Sequence, residues 1–419
     1  MQTDVAIVGG GPGGATCAAY LSRAGLSSVI IEKESFPRFH IGESLTGETG
    51  NLLRDLGLES TLNEMDNPVK LGVRVFGPTG KNTFFVPVKR RDPETGLEDT
   101  FTWNVRRASF DKLLLDHAES LGATRLDAKA LAPLVADDGS VRGVRVELAT
   151  GDSLDVESEV LVDASGQHTF LANAGVTAKK ERGRYDRQLA IYSHFTGMER
   201  APGGEGGNVI IFYRRQHHWA WSIPIDSTVD SIGVVTPSAY FQESGLSKRD
   251  FLVREIAELN PELSRRAANV EMVEEIHAHS NYSYHVKEFT GRGWLCVGDS
   301  HRFIDPIFSF GVHVSVHEAR LAAEAIAEHL RGGDPVAAKP FAAYEARAER
   351  GIDVFQTMLD GFWENPVAFP ILVHQRYPED FIDMFAGRVY GDNDYRGLTA
   401  LRAALAASRA GAEAKVASA

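Results

Sequence analysis

Six residues near the amino terminus, Gly9-Gly10-Gly11-Pro12-Gly13-Gly14, constrain this chain more than any others. Within them Gly9, Gly11 and Gly14 have the spacing G-x-G-x-x-G, directly after the apolar run Val5–Val8 and before a small-residue segment, Ala15–Leu21, that reads as a helix. A turn that tight between strand and helix needs residues without side chains at its close approaches. The free N–H groups and partial positive charge at the start of such a helix suit a pyrophosphate, with Pro12 and Gly13 in the same turn. A second apolar run, Val29–Ile31, ends in Glu32, 21 residues after Gly11, where a carboxylate accepts from an adenosine ribose hydroxyl. An acid there argues against a 2′-phosphate. Strand, turn, helix and acid in register describe a dinucleotide-binding βαβ unit; a purely structural glycine turn is the weaker alternative.

The chain has 419 residues, two to three times the ~100–200 of one domain, so further structure is built around that unit. With 43% hydrophobic and 24% charged residues the composition is that of a packed globular protein. A balance of 57 acidic against 44 basic side chains excludes a non-specific nucleic-acid binder, which needs a Lys/Arg excess. Cys17 and Cys296 lie in apolar runs and can build neither a disulfide framework nor a zinc site, which fits a reducing, cytoplasmic setting. The first residues lack a basic stretch and no run of 18 apolar residues occurs, so neither a signal peptide nor a membrane span is expected.

After the βαβ unit come a loop over Pro37–Ser44, a helix over Thr46–Leu56 and alternating segments at Val69–Phe76, Thr83–Val88 and Thr100–Arg107 that read as antiparallel strands. Ser109–Leu121 is helical, Val141–Leu148 alternates, and Val160–Val162 runs into Asp163-Ala164-Ser165-Gly166, a strand-then-turn that returns to the nucleotide layer. Leu189–Phe195, Asn208–Tyr213, Trp219–Ile225 and Ser231–Val235 suit a second antiparallel sheet over a ligand. Trp294–Val297 before Gly298-Asp299 is a third strand-then-turn, Gly311–Leu330 a long helix, and the remainder is mostly helical with a frayed end. The expected fold is therefore α/β, with a discontinuous nucleotide-binding domain over 1–70, 100–180 and 285–333. A β-sheet substrate domain, 71–99 and 181–284, interrupts it, and a helical region, 334–419, closes it.

A nicotinamide dehydrogenase needs only the first glycine turn, so the two further strand-plus-glycine elements favour FAD. Three elements carry a resemblance to the aromatic-hydroxylase class of FAD flavoproteins over roughly residues 1–330: Gly9–Gly14, Arg107 with Phe110-Asp111 in an R-x-x-F-D pattern, and Gly298-Asp299 before Pro306. Within that class the chain resembles the flavin-dependent halogenases. Trp219-Ala220-Trp221-Ser222-Ile223-Pro224 matches W-x-W-x-I-P, and Phe303 to Gly311 satisfies F-x-x-P-x-x-S-x-G through Pro306 and Ser309. Pro37 to Ser44 resembles the strap that the family lays along the flavin. The resemblance implies cofactor contacts from Gly9, Gly11, Pro12, Gly13, Gly14, Glu32 and Lys33, from the strap residues Arg38, Ile41, Gly42, Glu43 and Ser44, and from Arg107, Asp163, Asp299, Pro306, Gly311 and Val312. It places chloride or bromide against the backbone amides of Phe310 and Gly311, and it assigns to Lys70 the transfer of the oxidised halogen, as a nucleophilic amine or as a hydrogen-bonding acid. The two indoles are read as a layer keeping substrate from the flavin, or as ordinary core aromatics.

Halogenases of free tryptophan carry a glutamate two residues after the motif proline; here Phe308 stands there, which points to an electron-rich phenolic or pyrrolic substrate. The resemblance further implies O2, chloride or bromide, and FAD reduced by a separate flavin reductase. A flavin monooxygenase on the same fold is the alternative, separable by product mass with and without halide. A non-catalytic member of the fold, marked by lack of flavin absorbance, is a second. His313, His317 and Glu318 lack metal-ligand order, so no metal is expected. The basic clusters Lys89-Arg90-Arg91 and Lys179–Arg187 could dock an acidic carrier protein bearing the substrate, or be solvated faces.

Overall fold

In a computed structural model of the chain, which describes residues 1–183, 185, 187–280, 283–334 and 337–417, two large sheets and a helical region border a cavity. The first sheet takes its strands from distant parts of the sequence. Gln2–Val8 pairs in parallel with Ser28–Glu32 on one side and Ser153–Asp163 on the other, and Trp294–Cys296 continues beside Ser153–Asp163. Strands covered on both faces read as continuous apolar runs, and Val5, Ala6, Ile7, Ile30, Val160, Leu161 and Val162 are all fully buried. Helix Pro12–Arg23 packs on the first two strands, with Arg107–Ser120 and Gly311–Gly332 beside it. The carboxyl ends of these parallel strands lead into the turns at Gly9, Ala164 and Gly298, so the three glycine elements converge on one edge.

The strand Thr124–Val135 has no counterpart in the sequence reading. Its first residues pair in parallel with Ser28–Glu32 and the rest antiparallel with Val141–Leu148, through two register shifts, so no single alternation runs along it. The expected strand Thr100–Arg107 is only Thr102–Trp103, paired with Val69–Lys70. Beyond it the Asn104 N–H goes to the Pro68 carbonyl at 3.0 Å and the Val105 N–H to the Glu43 carbonyl at 2.8 Å, which ends the ladder. Helix Arg107–Ser120 then begins two residues earlier than the pattern suggested, with Arg107 reaching Asp111 one turn on.

The second sheet runs in spatial order Glu271–Met272, Gln188–Thr196, Val229–Pro237, His218–Pro224, Val209–Arg215, Gly72–Phe76 and Thr83–Pro87, with His277–Ser280 also pairing Gln188–Thr196. Val209–Arg215 and Gly72–Phe76 are parallel and the other pairs antiparallel, which brings segments on both sides of Lys89 to Asp99 into one sheet. Period-two alternation divides its faces. Ile191, Phe212, Ile232 and Val234 pack with Phe251 and Leu252 of helix Lys248–Glu258, a helix the sequence reading did not single out. Tyr192, Trp219, Trp221 and Ile223 face the cavity. The carboxyl-terminal region includes helices Ala342–Glu364, Pro378–Ala386 and Arg396–Ala417, the last extending through residues expected to fray. Among the described residues no helix is long and apolar enough to cross a membrane.

The first basic cluster is not a free patch. Lys89–Asp92 forms a hairpin with Gly96–Asp99 in which Lys89 meets Asp99 at 2.8 Å and Arg90 meets Glu98, while Arg91 reaches Asp383 at 2.7 Å. In the second cluster Lys180 donates to the Gln167 carbonyl and lies over the Tyr284 ring; Arg184 and Asp186 lie outside the described residues.

Trp221 seats its ring against the backbone of Gly233, where an added Cβ falls 2.2 Å from the indole. Gly233→Ala is therefore expected to destabilise the protein by about 1–3 kcal/mol, the usual cost of overpacking, measured by denaturant unfolding.

Candidate active site

The cavity, of about 650 Å3, lies between the strand ends of the first sheet and the aromatic face of the second. Its nucleotide end is made by the glycine turn. Gly9 has φ +105°, and a Cβ on it would stand 2.5 Å from the Ala164 carbonyl oxygen; a Cβ on Gly14 would stand 1.9 Å from the Gly9 oxygen. Gly14 thus serves the packing of turn on helix and does not line the cavity, whereas Gly9, Gly11, Pro12 and Gly13 do. The first intrahelical bond is Ala15 N–H to Gly11 C=O, so the N–H groups of Gly11, Gly13 and Gly14 have no helical acceptor, which suits an anion. Glu32 is buried at the end of its strand, its carboxylate accepting from the N–H groups of Gly10 at 2.7 Å and Glu34 at 2.8 Å. Lys33 borders the same end. Glycines that any side chain would displace, with a fixed acid beside them, fit the adenosine and pyrophosphate of FAD.

The strap closes the cavity lengthwise. Arg107 is buried, donates from Nε and Nη2 to the Asp111 carboxylate at 2.6 and 2.9 Å, and uses Nη1 on the carbonyl of Ile41. Gly42 has φ +104° and its absent side chain makes room for that guanidinium, whose Nη1 would be 2.9 Å from a Cβ. Arg38 reaches the same Asp111 at 3.2 Å and lies across Gly11. Farther along, Glu43 meets His194 Nε2 at 2.6 Å, and Phe39 stacks on His277 with centroids 3.8 Å apart. Ile41, Gly42, Glu43 and Ser44 all line the cavity.

The third glycine element supplies Asp299, which borders the cavity and whose carboxyl is pushed up to about 7 by burial, against the charge of Arg107 and a hydrogen bond from Gln167. Asp163 is placed differently from the cofactor contact expected of it. It is fully buried, and its oxygens accept from the N–H groups of Ser165 at 3.0 Å and Leu171 at 2.8 Å, so it caps the turn and the short helix behind the cavity. Phe303, Pro306, Ser309, Gly311 and Val312 line the cavity; Phe310 does not, since its ring stacks away from it on Phe355 at 3.8 Å. Ser309 is left-handed, φ +59°, and swings the chain into helix Gly311–Gly332, whose first i−4 bond is Val314 N–H to Phe310 C=O. The N–H groups ahead of Val314 have no helical acceptor, which suits a small anion.

Trp219 and Trp221 pack at 5.7 Å on the cavity wall with Ile223, and Trp221 Nε1 donates to Ser231 Oγ at 3.2 Å; Pro224 stands outside the wall at the end of the strand. Lys70 is not part of that wall. It stands behind the strap, buried, donating from Nζ to Ser44 Oγ and to the Leu45 carbonyl, both at 2.8 Å. Burial alone lowers its ammonium to about 7, because among the described residues no carboxylate lies near enough to hold the charge.

Sequence reasoning passed over three residues. Asp111 anchors both arginines, and its only signal was the D of R-x-x-F-D. Asp305 is buried in the cavity wall, caps the Pro306–Phe308 turn through Ile307 N–H at 3.0 Å, and has its carboxyl pushed up to about 7 by burial. His194, paired with Glu43, sits in a strand that carries no motif.

A three-element FAD fold with a strap held over its cavity defines a flavoprotein class, and comparison with known proteins places the chain within it. Residues 2–350 match the FAD binding domain family. A brominase of 1H-pyrrole-2-carbonyl peptidyl-carrier protein from Pseudoalteromonas luteoviolacea is 37% identical over 87% of this chain and 87% of its own length. The corresponding chlorinase from Pseudomonas fluorescens is 31% identical over 96% and 93%. The solved structure of the flavin-dependent brominase Bmp2 superposes with a TM-score of 0.89, at 36% identity, over 97% of this chain and 98% of that one. The myxobacterial chondrochloren halogenase CndH follows at 0.79 and 26%, over 97% of both. The chain belongs to the FAD-binding-domain family and, within it, to the flavin-dependent halogenases.

Gly14→Ala is expected to push the turn open and lower FAD affinity by roughly tenfold or more. Titrating the apoprotein with FAD, followed by flavin fluorescence, measures it; unchanged affinity would show that the turn does not hold the phosphates.

Proposed function

We propose that this halogenase acts on a pyrrole-2-carbonyl group carried as a thioester on a carrier protein, with Lys70 delivering the halogen. The observation that carries the reading is the lysine itself, buried one hydroxyl behind the strap without a counter-ion among the described residues. FAD, reduced by a separate flavin reductase, supplies the activation of O2 that oxidises chloride or bromide to hypohalous acid. The glycine turn, Glu32, Arg38 and Asp299 hold the cofactor, and the strap shields it from water. Phe310 and Gly311 present amide N–H groups to the halide at a helix start, where the dipole favours an anion. Trp219 and Trp221 fill the space that a substrate would need to approach the flavin.

Lys70 then acts as a neutral amine. Its nitrogen attacks the halogen of hypohalous acid, so that the O–halogen bond and one N–H bond break, an N–halogen bond forms, and the hydroxide leaves with the displaced proton as water. The pyrrole carbon next attacks that halogen, the nitrogen leaves with the N–halogen electron pair, and the proton lost from the ring carbon restores the amine. Ser44 and the Leu45 carbonyl hold the nitrogen during both steps. The substrate assignment rests on the carrier-tethered pyrroles named for two relatives and on Phe308, whose ring packs on Phe362 and Phe385 so that this position offers no ring-orienting carboxylate, as suits a ring already activated. Two buried free thiols, Cys17 and Cys296, support a reducing compartment.

Lys70→Met is expected to cut halogenated product by roughly 10²–10⁴-fold while flavin oxidation continues, as seen by product mass and oxygen uptake. In the unsubstituted enzyme a neutral amine requires activity to rise between pH 6 and 8 about a midpoint near 7, whereas a hydrogen-bonding ammonium requires it to fall. Halide-independent hydroxylation of the pyrrole would instead mark a monooxygenase. The same pKa has a consequence for stability. A folded value near 7 against 10.5 means that the unfolded chain binds the extra proton between these pH values, so this lysine's penalty is full below 7 and fades as pH rises. Lys70→Met is accordingly expected to raise Tm at pH 6 more than at pH 9, read by thermal denaturation.

A further inference from the structure

His313 and His317 form a buried imidazole pair that the reaction above does not use. They lie one turn apart on helix Gly311–Gly332, with ring centroids 4.2 Å apart and Tyr390 stacked 5.8 Å from each. Burial lowers both well below the usual imidazole range and keeps them neutral. Their placement differs in one respect. His313 Nδ1 is 2.9 Å from Thr46 Oγ1 and 3.3 Å from Thr49 Oγ1, across more than 260 residues of sequence.

Thr46 follows directly on Leu45, whose carbonyl accepts from Lys70, and its hydroxyl also caps helix Gly47–Asp55 by accepting from Thr49 N–H at 3.3 Å. His313 stands in the first turn after Phe310 and Gly311. Its ring is held on its other sides by Phe355, at 5.6 Å edge to face, and by Gly387, where an added Cβ would fall 2.1 Å from Cε1. Phe310 is pinned to the same Phe355. The halide turn, the end of the strap that holds Lys70 and the carboxyl-terminal helices therefore meet at one imidazole.

We propose that His313 is a positioning residue that fixes the halide-binding turn relative to Lys70 through its hydrogen bond to the Thr46 hydroxyl. The inference rests on the reading that Phe310 and Gly311 bind halide and that Lys70 transfers it. It also gives the carboxyl-terminal helices a role: Phe355 and Gly387 seat the ring that sets the distance between the two sites. Halide must be oxidised on one side of the strap and delivered on the other, so a turn free to shift loses halide affinity before it loses the fold.

His313→Phe keeps the ring and removes Nδ1, while His313→Asn places an amide near the same hydroxyl. The expected result is a halide KM raised roughly tenfold by His313→Phe, with FAD affinity unchanged and kcat at saturating halide within about threefold, and substantial recovery of KM in His313→Asn. Thr46→Val removes the same bond from the other side, with Thr46→Ser as its conservative control, and is read identically should His313→Phe fail to fold. Unchanged halide KM in His313→Phe and Thr46→Val, or an equal loss in the Phe and Asn variants, overturns the proposal. A natural enzyme whose product shows no halide dependence, or one in which Lys70→Met remains active, removes the underlying reading instead, so the two failures are distinguishable.

Discussion

The strap from Pro37 to Ser44 has little secondary structure of its own, and one buried guanidinium gives it a fixed course. Arg107 spends two donors on Asp111 and a third on the Ile41 carbonyl, and Asp111 in turn holds Arg38 over the glycine turn. A carboxylate buried between two arginines satisfies the condition under which charges tolerate an interior, namely close pairing with the remaining donors occupied. Because Ile41 is fixed, Glu43 reaches His194 on the second sheet and Ser44 reaches Lys70. Loss of the guanidinium would release both sides of the cavity at once.

Lys70 shows the opposite treatment of charge. Where Arg107 is given acids, Lys70 is given a hydroxyl and a carbonyl, neutral acceptors that orient the nitrogen without holding its proton. Arginine keeps its charge in either setting, while a desolvated lysine loses its own readily. The difference suits the roles proposed for them, a permanent clamp and a nucleophile. The carboxyl-terminal helices complete the arrangement from outside the flavin fold, since Phe355 and Gly387 seat the rings of Phe310 and His313.

Elements fixed by local spacing were legible in the sequence. The glycine turn, Glu32, the buried parallel strands and the period-two strands of the second sheet carry signals within a few residues of themselves. Where a segment answers to two partners the signal failed. Thr124–Val135 changes from parallel to antiparallel pairing along its length, and Thr100–Arg107 leaves its ladder when Asn104 and Val105 turn to Pro68 and Glu43. Asp163 was misplaced for a related reason. An acid in a strand-then-glycine element resembles Asp299 in its own, and only the position of the backbone N–H groups of Ser165 and Leu171 shows that Asp163 faces inward.

The sequence by itself determined a glycine turn suited to a dinucleotide and, through W-x-W-x-I-P and F-x-x-P-x-x-S-x-G, which class of flavin chemistry the chain resembles. Those features depend on glycines and aromatics at short offsets, where sequence distance and spatial distance agree. Tertiary structure alone decided that Lys70 is buried against a hydroxyl and a carbonyl, that the Lys89-Arg90-Arg91 cluster is neutralised, and that His313 stands against Thr46. Burial and pairing are properties of neighbours brought from hundreds of residues away, and the spacing along the chain does not encode them.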